Sequence, residues 1–148
     1  MQKKVFFISL ILVFLFSCSE EEIIDQDFVI KFGSECGWCA GQEYIFVSSE
    51  KIKYQRTIPC GENEGVANKS REISSAEWNE ILDSFDYSKF LTLEFNKCNV
   101  CVDGCDELIE IEQTGNTHAI RYNPQEEIEG MGDLQFLLKE ILKGFNSN

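Results

Sequence analysis

Basic residues are scarce in this chain: 13 lysines and arginines stand against 26 aspartates and glutamates, a formal net charge of −13. Nucleic-acid binding needs a basic footprint, and this composition argues against one. Histidine occurs once, at His118, so general-base or zinc-hydrolase chemistry would have to run through that one side chain. There is no Gly-x-Ser-x-Gly elbow of the hydrolase type and no glycine-rich phosphate-binding loop. Internal repeats are absent. Long hydrophobic runs are absent too: the most extended, Val5 to Phe16 broken only by Ser9, falls short of the roughly 20 residues needed to cross a bilayer.

That apolar run has a different makeup. Lys3 and Lys4 precede it and Leu15-Phe16-Ser17-Cys18 ends it, which is the order of a secretory signal. A cysteine directly after Leu-x-Ser resembles the lipobox of bacterial lipoproteins, which implies that Cys18 is acylated and becomes the new N-terminus. Residues 1–17 are then a lipoprotein signal peptide, 18–27 an acidic tether, and 28–148 a single domain. Cleavage removes Lys3 and Lys4 and no acid, taking the balance from 13 basic and 26 acidic to 11 and 26, or −15. Such a domain is repelled by anionic headgroups, so acyl chains on Cys18 must hold it; two or more chains anchor stably. Serine rather than aspartate after Cys18 implies the outer membrane. Glu20-Glu21-Glu22 reads equally as a surface-export signal or as a solvated spacer.

Along the domain, residues 28–32 predict a first strand, followed by a cysteine- and glycine-rich turn over 33–41. Residues 44–47 and 52–56 flank a turn at 48–51 and predict a hairpin. Pairing Ser48 with Lys51 sets Ile45 opposite Tyr54 and Val47 opposite Ile52 on one face, with Phe46 opposite Lys53 on the other. The apolar parity agrees with that register. Residues 57–71 read as a polar loop. Ser74-Ser75-Ala76-Glu77 is a capping-box signature, and Trp78, Ile81, Leu82 and Phe85 predict a helix over 75–85. Residues 90–95 follow as a packed connection. A second hairpin, 107–113 with 117–122, turns at Thr114-Gly115-Asn116, and a closing helix over 132–143 stops at Gly144. The fold class is α+β, a mostly antiparallel sheet of four or five strands with two helices, stapled by disulfides.

The chemistry lies in six cysteines: Cys36, Cys39, Cys60, Cys98, Cys101 and Cys105. As a zinc site, the two Cys-x-x-Cys pairs stand much farther apart than in common zinc ribbons. As a redox couple, Cys36-Gly37-Trp38-Cys39 has thioredoxin-like spacing, but a strand follows where the activating helix should begin. As structural disulfides, an even count in a secreted domain is the expected pattern, and this reading is preferred. Extending the first hairpin's register outward brings Cys39 opposite Cys60 with matching parity. Facing residues lie about 4.5–5.5 Å apart at Cα, within disulfide range, so a Cys39–Cys60 bridge is predicted.

Other candidates take structural readings. His118 shares a face with Ile120 and Tyr122 and reads as a packed or edge histidine. Trp38 reads as a ring covering the disulfide cluster in preference to an exposed contact residue. Asn99, Cys101, Asp103 and Gly104 half-match a calcium loop, but a cysteine at a ligand position and a strand afterwards argue against it. Asp103, Asp106 and Glu107 read as solvated loop acids.

The segment Cys98-Asn99-Val100-Cys101-Val102-Asp103-Gly104-Cys105-Asp106-Glu107 resembles a domain-of-unknown-function family of small secreted bacterial proteins, many with lipoprotein signals. That family carries Cys-Pro-Asp-Cys-Ala-Asp-Gly-Gly before a strand opening with an acidic residue and a tryptophan. Cys98, Cys101, Asp103, Gly104 and Glu107 match; Asn99, Val100, Cys105 and Leu108 depart. The resemblance extends over residues 28–143 and implies fold and location, the family having no established activity. The combined expectation is a non-enzymatic envelope lipoprotein, periplasmic or surface-exposed, without cofactor or metal, that binds a protein or envelope component. The competing readings are a thiol oxidoreductase at Cys36/Cys39, a hydrolase using His118, and a metal-binding domain.

Overall fold

The computed structural model describes residues 28–147. The expected signal peptide and tether, with Cys18, lie outside them. Six strands form one antiparallel sheet: β1 (Phe28–Cys36), β2 (Gly41–Val47), β3 (Lys51–Ile58), β4 (Gly65–Glu72), β5 (Cys105–Gln113) and β6 (Asn116–Tyr122), in the spatial order β4-β3-β2-β1-β5-β6. Three helices complete the fold: α1 (Ser75–Asp83), α2 (Tyr87–Phe90) and α3 (Gly132–Asn146). Among the described residues the architecture is α+β, with six strands rather than four or five and three α-helices rather than two.

Alternation along the strands determines which face the helices cover. Phe28, Ile30 and Phe32 of β1, Ile45 and Val47 of β2, Ile52 and Tyr54 of β3, Ile109 and Ile111 of β5, and Ile120 and Tyr122 of β6 all join one core cluster. Trp78 and Ile81 of α1, Phe90 of α2, and Leu134 and Leu138 of α3 close over it. Phe28 packs its ring 5.4 Å from Trp78 and 6.0 Å from Tyr87, and Tyr54 stacks on Phe145 at 5.4 Å. Each such pair adds about 0.5–1.5 kcal/mol beyond its buried area.

The first hairpin has the predicted register, Ile45 opposite Tyr54 and Val47 opposite Ile52. Several boundaries differ from the sequence expectation. The first strand runs to Cys36, because β1 is central and paired throughout with β2 and β5; the turn shrinks to residues 37–40. The expected polar loop over 57–71 contains β4, an edge strand exposed along its whole length, which carries no apolar alternation to reveal it. Its hold is backbone pairing with β3 and two cations: Lys69 Nζ donates to the Phe145 carbonyl at 2.8 Å, and Arg71 pairs with Glu77. Helix α1 ends at Asp83, where the Ser84 hydroxyl and amide both donate to the Ile81 carbonyl. A short α2 interrupts the connection after Asp86, whose carboxylate caps the Lys89 amide at 3.0 Å. Gly144 does not stop α3, which continues to Asn146 because Phe145 is anchored in the core.

All six cysteines of the domain are bonded: Cys36–Cys105, Cys39–Cys60 and Cys98–Cys101. Cys39 and Cys60, 5.2 Å apart at Cα, close the open end of the first hairpin. Cys36 and Cys105 are cross-strand partners at the end of the β1–β5 ladder.

Candidate functional site

One face of the sheet carries the helices; among the described residues no helix packs on the other. Its centre is Gly33, which lies between Tyr44 of β2 and Leu108 of β5. A Cβ at Gly33 would fall 1.9 Å from the Glu43 carbonyl oxygen and 2.7 Å from the Tyr44 ring. The missing side chain therefore lets the tyrosine lie down across β1. Lys31 Nζ sits 4.4 Å from the centre of that ring, a cation–π contact. A groove of about 950 Å³ runs over this surface, bordered by Lys31, Glu35, Tyr44, Phe46, Leu108 and Arg121.

At one end of the groove Arg121 Nη2 pairs with Glu35 at 2.9 Å, and Nη1 lies 3.8 Å from Asp106. The Tyr44 hydroxyl donates to Glu35 at 3.4 Å. Burial, reinforced by the nearby negative charge of Glu35, pushes the Tyr44 phenol up to about 12, so it remains a neutral donor throughout the physiological range. At the other end, the ladder sets Phe46 between Lys31 on β1 and Lys53 on β3. Lysine, aromatic ring and lysine thus form one row across three strands. Phe46 also borders two smaller hollows of about 400 and 360 Å³ that Lys51 and Lys53 share. On a chain with twice as many acids as bases, this half of the face is locally cationic and apolar, while Glu110 and Glu112 hold the β5 half negative.

Of the sequence-predicted residues, His118 borders this groove and Asp106 lies beside Arg121 at its end; the others fall elsewhere. His118 stands on the helix-covered face at the sheet edge, with one ring nitrogen 3.0 Å from the Leu93 carbonyl oxygen and its ring edge-on to Phe90 at 5.1 Å. Cys36 and Cys39 belong to different disulfides, so they form no couple with each other. Trp38 does not cover the disulfides: it is 80% exposed, because a left-handed turn residue (φ 54°) throws its ring outward. Asp106 is not a solvated loop acid but is 1% exposed. Its carboxylate accepts from the Asn99 amide at 3.0 Å, the Asn99 side chain at 2.8 Å and the Val100 amide at 3.2 Å. This uses Asn99 for the turn, where the calcium half-match had it as a ligand. Glu107 is likewise partly buried and paired with Lys139 at 3.0 Å; burial raises its pKa against the pull of that lysine. Asp103 alone of the three is exposed.

Gly33, Arg121, Glu35 and Asp106 were not identified as site residues from the sequence. Their signal was the parity of β1 against β5, a pairing between segments far apart in the chain that no turn announces. The Lys53–Phe46 part of the aromatic row was visible in the hairpin register; Lys31 was not. Comparison with protein-family models found no match, and comparison with curated proteins found none either.

Proposed function

We propose that this protein is an outer-membrane lipoprotein anchored through Cys18, periplasmic or surface-exposed, whose domain is a non-catalytic binding module for a protein or envelope component. We place it with the family of small secreted lipoproteins that its Cys-x-x-Cys-x-Asp-Gly segment resembles. Three disulfides suit an oxidising compartment, and the lipobox-like ending of the apolar run supplies the anchor. The observation that carries the binding reading is the uncovered sheet face. Antiparallel sheets commonly leave one face to water, and such a face is ordinarily polar; here Phe46 is partly exposed beside Tyr44 and Leu108, each 7% exposed, along a long groove. Aromatic side chains with adjacent cations form a surface suited to a ligand that presents both apolar and acidic groups. The row Lys31–Phe46–Lys53 would seat the acidic group.

A photo-crosslinking amino acid placed at Gln55, beside the row, and at Glu80 on the exposed side of α1 tests the assignment in intact cells. A discrete crosslinked species from position 55 that is absent from position 80, and that is lost in the Phe46→Ala/Lys53→Glu variant, is the expected result. Equal crosslinking from both positions would refute the face assignment.

A further inference from the structure

The structure assigns a second role to the loop between α2 and β5: Cys98–Cys101 is a reducible disulfide that exchanges with a dithiol protein without unfolding the domain. The three disulfides are not equivalent. Cys36–Cys105 and Cys39–Cys60 tie segments 69 and 21 residues apart, whereas Cys98–Cys101 spans a separation of 3. A cross-link constrains the unfolded chain less as its loop shortens, so the last bond contributes least to holding the fold. It is also the one disulfide whose two cysteines are both exposed. Exposed disulfides are the labile ones.

The loop around it has its own scaffold. The Val102 and Gly104 amides both donate to the Asn99 carbonyl, at 2.9 and 2.8 Å. The buried Asp106 carboxylate takes the Asn99 and Val100 amides from beneath. Gly104 in turn accepts from the Gly37 amide at 3.0 Å, and Lys97 pairs with the Arg121 carbonyl at 3.0 Å. None of these bonds passes through sulfur, so opening the S–S bond leaves the turn in place and keeps both thiols poised to close again. Trp38 and Val102, 80% and 79% exposed, project from the two turns that Gly37 and Gly104 join, giving an incoming protein apolar surface beside the bond.

The exchange balances as follows. A thiolate of the partner attacks one sulfur, the Cys98–Cys101 bond breaks, and the other cysteine leaves as a thiolate that is protonated by water. The partner's second thiol, deprotonated, then attacks the mixed disulfide. The partner's dithiol is oxidised to a disulfide, and Cys98 and Cys101 are reduced to two thiols. This differs from the Cys36/Cys39 couple expected from sequence spacing, and it needs no activated thiolate on this protein, since the attacking group is the partner's.

The test uses the full chain, purified in detergent without reductant. It is treated with dithiothreitol and, separately, with a reduced Cys-x-x-Cys dithiol protein, then alkylated with N-ethylmaleimide and mapped by mass spectrometry. Adducts on Cys98 and Cys101 should appear with both reagents at least about tenfold faster than on the other four cysteines, with the circular dichroism spectrum unchanged. Similar rates at all three disulfides, or loss of the spectrum in step with labelling, would overturn the proposal. So would reaction with dithiothreitol but none with the dithiol protein. The Cys98→Ser/Cys101→Ser variant should fold with an unaltered spectrum; failure to fold would show the bond to be a structural staple and end the proposal.

Discussion

Replacing Gly33 by alanine probes the geometry on which the open face depends. An alanine Cβ would lie 1.9 Å from the Glu43 carbonyl oxygen, a backbone atom, and 2.7 Å from both Tyr44 Cα and the Tyr44 ring. A carbon and an oxygen in contact need more than 3 Å, so β2 must move by over an ångström or the β1–β2 ladder must open locally. Neither is a side-chain adjustment. Overpacking of this kind costs about 1–3 kcal/mol, and because the obstacle is main chain in a central strand we expect the upper part, about 2–3 kcal/mol. For a domain of this size that corresponds to a fall in Tm of about 8–12 °C. Urea unfolding followed by circular dichroism measures it: the midpoint should drop with the slope unchanged. Gly115→Ala is the control, since nothing lies within 4 Å of its Cβ position and only its φ of +82° resists; about 1 kcal/mol is expected there. A Gly33→Ala variant within about 0.5 kcal/mol of the parent would refute the argument that the tyrosine needs the missing side chain.

Further outcomes follow from other parts of the fold. Gly144 lies inside α3 with nothing within 4 Å of its Cβ position, so Gly144→Ala should stabilise the domain by about 0.5–1 kcal/mol in the same urea assay; a loss would show that the glycine is needed. Burial raises the Glu107 pKa in the folded protein, so the native state holds a proton that the unfolded chain releases near pH 4.3. The associated stability is present below that pH and is lost as pH rises through the folded value. Glu107→Gln should therefore gain stability relative to the parent between about pH 3 and pH 7, measured as the difference in Tm; a difference that is flat or falls would contradict the assignment. Spectrophotometric titration should show Tyr44 and Tyr54 both ionising at about 12, and Tyr44→Phe should lower the amplitude of that transition by about half. Cys18→Ala should move the protein from the membrane to the soluble fraction, and unchanged fractionation would remove the anchor from the proposed function.

What the amino-acid order determined by itself was whatever depends on neighbours in the chain. The Ile45/Tyr54 and Val47/Ile52 register could be read because a short turn leaves one pairing with matched apolar parity, and the Cys39–Cys60 position followed by extension. The N-cap at Ser74, whose hydroxyl takes the Glu77 amide while the Glu77 carboxylate turns to Arg71, and the stripes of α1 and α3 were legible for the same local reason. Strand β4 was not, because its side chains face water on both sides and its place is held by the β3 backbone and by two long cations reaching α3 and α1. Cys36–Cys105 was not legible either: with Cys39–Cys60 placed, three pairings of the remaining four cysteines are open until β1 lies beside β5, and only tertiary structure brings those strands together. The same pairing sets Gly33 beside Leu108 in the floor of a groove and brings Arg121 of β6 to Glu35, while the pairing of β1 with β2 completes the lysine–phenylalanine–lysine row. Local pattern determines which side of a strand is buried; which strand lies next to it, and hence which side chains share the uncovered face, is decided by the packing of the whole sheet.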